Sequence, residues 1–146
     1  MDAAPLSAWS PRILSLLRIV AGLLFMEHGT QKLLGFPIAQ DLAAMSPPLM
    51  SLSGIAGVFE LVGGFLIAIG LFSRPVAFLL SGQMAGGYFL VHFGSDVSLA
   101  AASASRSFYP LLNKGELAIL YCFTFLYLFF AGPGPWSVDA LRSHRI

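Results

Sequence analysis

Phe25-Met26-Glu27-His28-Gly29-Thr30-Gln31-Lys32 sets a carboxylate, an imidazole, an amide and an amine near the end of an apolar run that begins at Ile13. Ionisable groups are costly in hydrocarbon, so within such a run they face a bundle interior, a water-filled cavity or the interface. This stretch therefore decides the fold. It needs further helices to shelter it, and the rest of the chain has to supply them.

Of the 146 residues, 57% are hydrophobic and only 10% are charged. A soluble domain carries about 25% charged residues, so much of this surface is read as facing lipid. The length suits one domain, residues 1–146. A formal net charge of +1 provides no basic patch to displace counterions, which argues against nucleic acid. A single cysteine, Cys122, excludes an intramolecular disulfide and a Cys-rich metal site. Its apolar surroundings suit a buried, inert thiol. Arg12 and Arg18 beside an apolar segment imitate a signal peptide. No small-x-small cleavage site follows, so the segment is read as a retained membrane helix.

Working outward, four apolar segments cover about residues 12–34, 49–72, 75–93 and 114–131. Each approaches the roughly 20 residues that a helix needs to cross the hydrocarbon layer. None alternates as a transmembrane strand would. Ser10-Pro11 opens the first, with proline in the first turn. Gly35-Phe36-Pro37 stops it, and Ser46-Pro47-Pro48 opens the second. Residues 70–75 form a tight turn, residues 94–113 a longer Ser- and Ala-rich loop, and Gly132-Pro133-Gly134-Pro135-Trp136 ends the fourth segment. Trp9 and Trp136 suit the membrane interface. The expected fold is all-α: an integral membrane four-helix bundle, up-down in topology. Arg12, Arg18, Arg74, Arg142 and Arg145 fall on one side, against Lys32, Arg106 and Lys114 on the other. The positive-inside rule then places both termini in the cytoplasm, with Arg18 counted by snorkelling to the nearer end.

An up-down arrangement gathers polar residues in the outer half of the bundle. Glu27, His28 and Lys32 end the first helix, Tyr88 and His92 end the third, and Asn113 and Glu116 begin the fourth. Glu60 lies roughly 15 Å below the start of the second. Gly54, Gly57 and Gly64 share its face, and small residues allow close packing in lipid, which turns Glu60 inward. The corresponding inward faces are read as Ala21, Leu24, His28 and Lys32 on the first helix, Ser81, Ala85, Tyr88 and His92 on the third, and Asn113, Glu116, Leu120, Phe123 and Tyr127 on the fourth.

The candidate ligand-binding or proton-relay residues are thus His28, Glu60, His92, Glu116, Glu27, Lys32, Asn113 and Tyr88. Plainer readings stand beside them. Lys32 can snorkel to the surface, Glu116 can be a first-turn acid favoured by the helix dipole, and Asn113 can be a cap. The histidines can bond neighbouring helices. Arg18 reads as an interfacial anchor and Gln83 as a helix-to-helix hydrogen bond. Glu60 is hardest to excuse, because a carboxylate at mid-depth needs a partner. No metal site is expected, since no second ligand follows at HExxH spacing and no Glu-x-x-His pair exists. Aromatics near the outer ends, Phe25, Phe59, Tyr88, Phe89, Phe93, Phe108 and Tyr109, can stack on a flat apolar ligand such as a quinone head group or simply pack.

The pattern resembles the DoxX family of small four-helix membrane proteins. The resemblance rests on Arg18-Ile-Val-Ala-Gly22, Glu27-His28-Gly29-Thr-Gln-Lys32-Leu, Gly57-Val-Phe-Glu60-Leu-Val-Gly63-Gly64 and Gly70-Leu-Phe-Ser-Arg74-Pro75. It continues with Tyr88-Phe-Leu-Val-His92, Leu112-Asn113-Lys-Gly115-Glu116-Leu and Gly132-Pro133-Gly134-Pro-Trp-Ser137-Val-Asp139. The Ser- and Ala-rich stretch 95–107 is longer than the usual connection. The resemblance implies a multi-pass protein of a bacterial inner membrane and a broad association with redox functions, because related proteins include the small membrane subunit of thiosulfate:quinone oxidoreductase. The expected function is an accessory or quinone-binding component of a membrane redox process, partnered by lipid and a redox enzyme subunit or a second copy. A structural or assembly subunit, a small-molecule transporter and a metal-dependent membrane enzyme are the rivals.

Overall fold

The computed structural model describes residues 7–38, 47–93 and 109–143. Ser46, the loop residues 94–108 and the tail residues 144–146 lie outside this range. Every regular element among the described residues is helical. Helix α1 is Ser10–Leu34. Helix α2 is Leu52–Ile69, with a π-helical turn at Phe59–Gly63. Helix α3 is Ser73–Gly87, extended by a second π-helical turn at Tyr88–His92. The short α4, Pro110–Asn113, leads into α5, Glu116–Ala131, and α6, Val138–Ser143, closes the described chain. Helices α1 and α2 are long and apolar enough to cross a membrane, and α5 is a shorter apolar helix.

Local chemistry sets the ends. Pro11 lies in the first turn of α1, where its missing N–H costs nothing. Gly35 ends the helix at φ 66°, its N–H donating to Gln31 O at 3.1 Å, and only glycine takes this left-handed cap without strain. The second helix starts later than expected. Its cap is Ser51, whose Oγ accepts from the Gly54 N–H at 3.1 Å.

Helices α1 and α2 meet backbone to backbone. Gly22 lies against Gly64 and Ala68, and Gly29 against Gly57 and Leu61; a Cβ at either glycine would strike main-chain atoms. The pairing runs antiparallel. Helices α3 and α5 form the other extensive contact. Between the two pairs sits a small core of Phe25, Ile67, Ala77, Leu80, Tyr121, Phe125 and Leu128. Phe25 meets Phe125 edge-on, with ring centroids 4.9 Å apart.

Two expected faces are corrected. On α1 the buried stripe runs through Ser15, Arg18, Ala21, Phe25 and Gly29, while Leu24 is 47% exposed. On α5 the buried residues are Tyr121, Phe125 and Leu128, whereas Leu120, Phe123 and Tyr127 point outward. Helix α5 is apolar all round, so no periodicity marks its inner side. The face of α2 is as expected: Gly54, Gly57, Glu60 and Gly64 are all buried.

Arg18 is also corrected. It does not snorkel but is fully buried. Its guanidinium donates to the carbonyls of Ile67, Ala68, Pro133 and Trp136. Nearby, the Asp139 carboxylate accepts from the Phe72 and Ser73 N–H groups at 2.9 and 2.8 Å, and Arg74 donates to Phe129 O and Phe130 O at the end of α5. One end of the helix assembly is thereby tied shut.

Candidate functional site

The opposite end is open. The end of α1, the start of α2, the end of α3 and the start of α5 surround a cavity of about 720 Å³, within the range of small-molecule sites. Phe25, His28 and Lys32 line it from α1, and Leu52, Ala56 and Glu60 from α2. Gln83, Met84, Leu90 and His92 line it from α3, and Leu117 and Tyr121 from α5, with Lys114 just before that helix. Walls are mostly apolar, and the polar atoms are few.

Glu60 anchors the site. Gly57 and Gly64, on the same side of α2, bring that helix against α1, and the close approach carries Glu60 toward Lys32. The Lys32 Nζ donates to Glu60 Oε1 at 2.6 Å. Glu60 is only 4% exposed. Its second oxygen, Oε2, is buried with no hydrogen-bond partner among the described residues, and so is Gln83 Oε1. Gln83 Nε2 donates to Ala56 O at 3.2 Å, the helix-to-helix bond expected of it.

His92 Nδ1 lies 2.9 Å from the Asn113 carbonyl oxygen. A carbonyl only accepts, so Nδ1 carries the proton and Nε2 of the neutral ring is an acceptor. Asn113 is buried; its Oδ1 accepts from the Gly115 N–H at 2.8 Å and its Nδ2 donates to the Tyr88 hydroxyl at 3.5 Å. This ties the start of α5 to the end of α3. His28 meets the Tyr121 ring edge-on at 6.2 Å.

Of the sequence candidates, His28, Lys32, Glu60 and His92 line one cavity. Tyr88 and Asn113 support its α3–α5 wall. Glu27 and Glu116 are exposed and are not among its lining residues. Sequence reasoning missed Lys114 and Tyr121. Leu117, Ala118 and Tyr121 form a face of α5 offset by a residue from the one expected, and Lys114 lies just before the helix. Gln83, expected only to bond one helix to another, also lines the cavity. Among the described residues, no three His, Cys, Asp or Glu side chains come together.

The DoxX family model matches residues 13–93, which spans α1 to the end of α3 and most of the cavity's polar residues. The chain belongs to the DoxX family. A relative from Haemophilus influenzae, named only as an uncharacterized protein, is 40% identical over 136 residues, covering 92% of this chain and 93% of its own length. Escherichia coli inner membrane protein YphA is 30% identical over 131 residues, with 88% and 89% covered. An uncharacterized membrane protein of Mycobacterium tuberculosis is 25% identical over 144 residues, with 96% and 87% covered. These alignments reach beyond the family model, over nearly the whole chain. No solved structure gives a significant match. The chain is thus a DoxX-family membrane protein, and its outward-facing leucines, valines and phenylalanines, among them Val20, Val62, Phe78 and Phe123, are suited to lipid.

Proposed function

We propose that this DoxX-family protein is a single-domain, four-helix, multi-pass protein of a bacterial inner membrane that holds a small amphiphile in the cavity. In this reading the helices run up and down with both termini cytoplasmic, the cavity opens toward the outer face, and the ligand serves a membrane redox process. The observation that carries it is the pairing of Glu60 and Lys32 inside a mostly apolar cavity. Glu60 is buried and Lys32 partly so; withdrawing a carboxylate from water is rarely worth its desolvation for stability alone, and intramembrane ionisable residues mark pathways and ligand sites. Apolar walls and a few convergent polar groups suit a molecule with an apolar body and a polar head. The DoxX resemblance makes a quinone the first head group to test.

Native mass spectrometry of protein extracted gently from its own membrane, with lipid analysis, tests the proposal. Gly86 and Gly87 line the cavity, and a Cβ at either meets no atom within 4 Å. Gly86→Leu and Gly87→Leu therefore fill space without displacing packing. Native protein should retain a stoichiometric amphiphile, and the leucine variants should be folded and lose it. Equal retention by all three, or a native protein carrying only another polypeptide, would overturn the reading in favour of an assembly subunit.

A further inference from the structure

We propose that the cavity selects a head group that donates hydrogen bonds, a hydroxyl-bearing ring rather than its carbonyl counterpart. This inference rests on the amphiphile-binding reading above and adds the chemistry of the head. The cavity-lining side-chain atoms that are buried without a partner, among the described residues, are both acceptors. Glu60 Oε1 is taken by Lys32, and Oε2 is buried and unpartnered. The Gln83 amide is fixed in orientation, because a flip would set its oxygen against the Ala56 carbonyl that Nε2 now serves. Gln83 Oε1 is therefore an acceptor too, buried and unpartnered. His92, which is half-buried, offers the Nε2 of its neutral ring as a further acceptor, since its Nδ1 proton is committed to Asn113 O.

Buried acceptors cost free energy until a donor arrives. A quinone carbonyl brings none to Glu60 Oε2 or Gln83 Oε1, and accepting from Lys32, Lys114 or Tyr121 instead would leave both oxygens unpaired. A hydroquinone brings two O–H groups. An anionic head pairs with Lys114 in the lining but brings no donor to Glu60 or Gln83, and the free Glu60 oxygen repels it, because Lys32 is already neutralised. The apolar lining from Phe25, Met84, Leu117 and Tyr121 accepts the ring and tail of either redox form, so the head alone discriminates.

Three probes separate the possibilities: decylhydroquinone, its dimethyl ether and decyl-benzoquinone, titrated anaerobically into the full-length protein in nanodiscs. The hydroquinone should bind at least tenfold more tightly than the other two. Glu60→Gln keeps an oxygen for Lys32 and turns the free acceptor into an N–H donor, so the preference should shrink or pass to the quinone. Gln83→Leu removes the other acceptor and should weaken hydroquinone binding while leaving quinone binding nearly unchanged. Equal affinities for the three probes would mean that water serves the acceptors, and would overturn this inference while leaving an amphiphile site standing. An unchanged preference in both variants would overturn it too. If none of the probes binds the native protein, both this inference and a quinone-type ligand fall together.

Discussion

Arg18 illustrates what a side chain's position along a helix leaves out. In the sequence it is a charge within an apolar run, and the physical default is a flexible stem that carries the charge to the interface. In the fold it is fully buried, among carbonyls from two places: Ile67 and Ala68 in the last turn of α2, and Pro133 and Trp136 beyond α5. A helix leaves its final carbonyls short of donors, and the five N–H groups of a planar guanidinium can serve several at once. Glycine makes room for this. Gly70 has φ 72°, and a Cβ there would meet Ser137 and the guanidinium itself. Arg18→Met should therefore destabilise the protein by about 3 kcal/mol or more, from lost charged hydrogen bonds and carbonyls left buried. Arg18→Lys should recover only part of this, because an ammonium cannot reproduce the fork. Unfolding in detergent measures both; a loss below about 1 kcal/mol for the methionine variant would refute the account. The opposite lesson comes from Glu60. The glycines on its face announce its burial directly, and its need for a partner follows from the charge alone, although which of the nearby cations supplies it does not.

At the scale of elements, helix ends and packing faces were legible to different degrees. Gly35 and Pro11 act through backbone rules that need no tertiary knowledge. The face of α2 was legible because glycine and carboxylate differ so much from their neighbours, whereas α5 offers only apolar residues to choose among. The π-helical turns that carry Glu60 and His92 depend on which carbonyl each N–H finds, as with Phe93 N–H donating to Tyr88 O five residues back at 2.9 Å, and no residue type announces them. The start of α3 is a further case. Phe72, at φ 50°, has no side-chain cap of its own, and Asp139 from the distant C-terminal segment supplies one. Burial pushes the Asp139 carboxyl up, but the bonds from Ser73 and Phe72 and the Arg142 charge outweigh it and hold the group below its ordinary value. A depressed pKa in the folded state adds stability that is complete above the unfolded value, near 4, and is lost as pH falls through the folded one. Asp139→Ala should therefore cost about 1 kcal/mol at neutral pH, as loss of a helix cap does. The gap between native and variant unfolding midpoints should close progressively below about pH 4. A gap that persists to pH 2 would assign the stabilisation to packing and not to the carboxylate.

For the whole molecule, the two ends differ in chemistry. One is tied by Arg18, Arg74 and Asp139 to main-chain groups, and the other opens into the cavity beside Lys32 and Lys114. The end of α1 meets the middle of α2 through Lys32 and Glu60, and the end of α3 meets α4, just before α5, through His92 and Asn113. Sidedness is a separate matter, because the positive-inside bias acts during insertion on charges near the helix ends. Burial of Arg18 weakens its claim as an interfacial charge and leaves the excess to Arg12, Arg74, Arg142 and Arg145. Single cysteines on a Cys122→Ala background test the proposed orientation. Met50 is 89% exposed just before α2, and Ser143 is exposed at the end of α6. A membrane-impermeant maleimide should label Met50→Cys in intact spheroplasts and Ser143→Cys only after lysis. The reverse pattern would invert the protein and turn the cavity toward the cytoplasm. Labelling of both from outside would put the start of α2 and the C-terminal segment on one side, and the up-down arrangement of four crossings would fall.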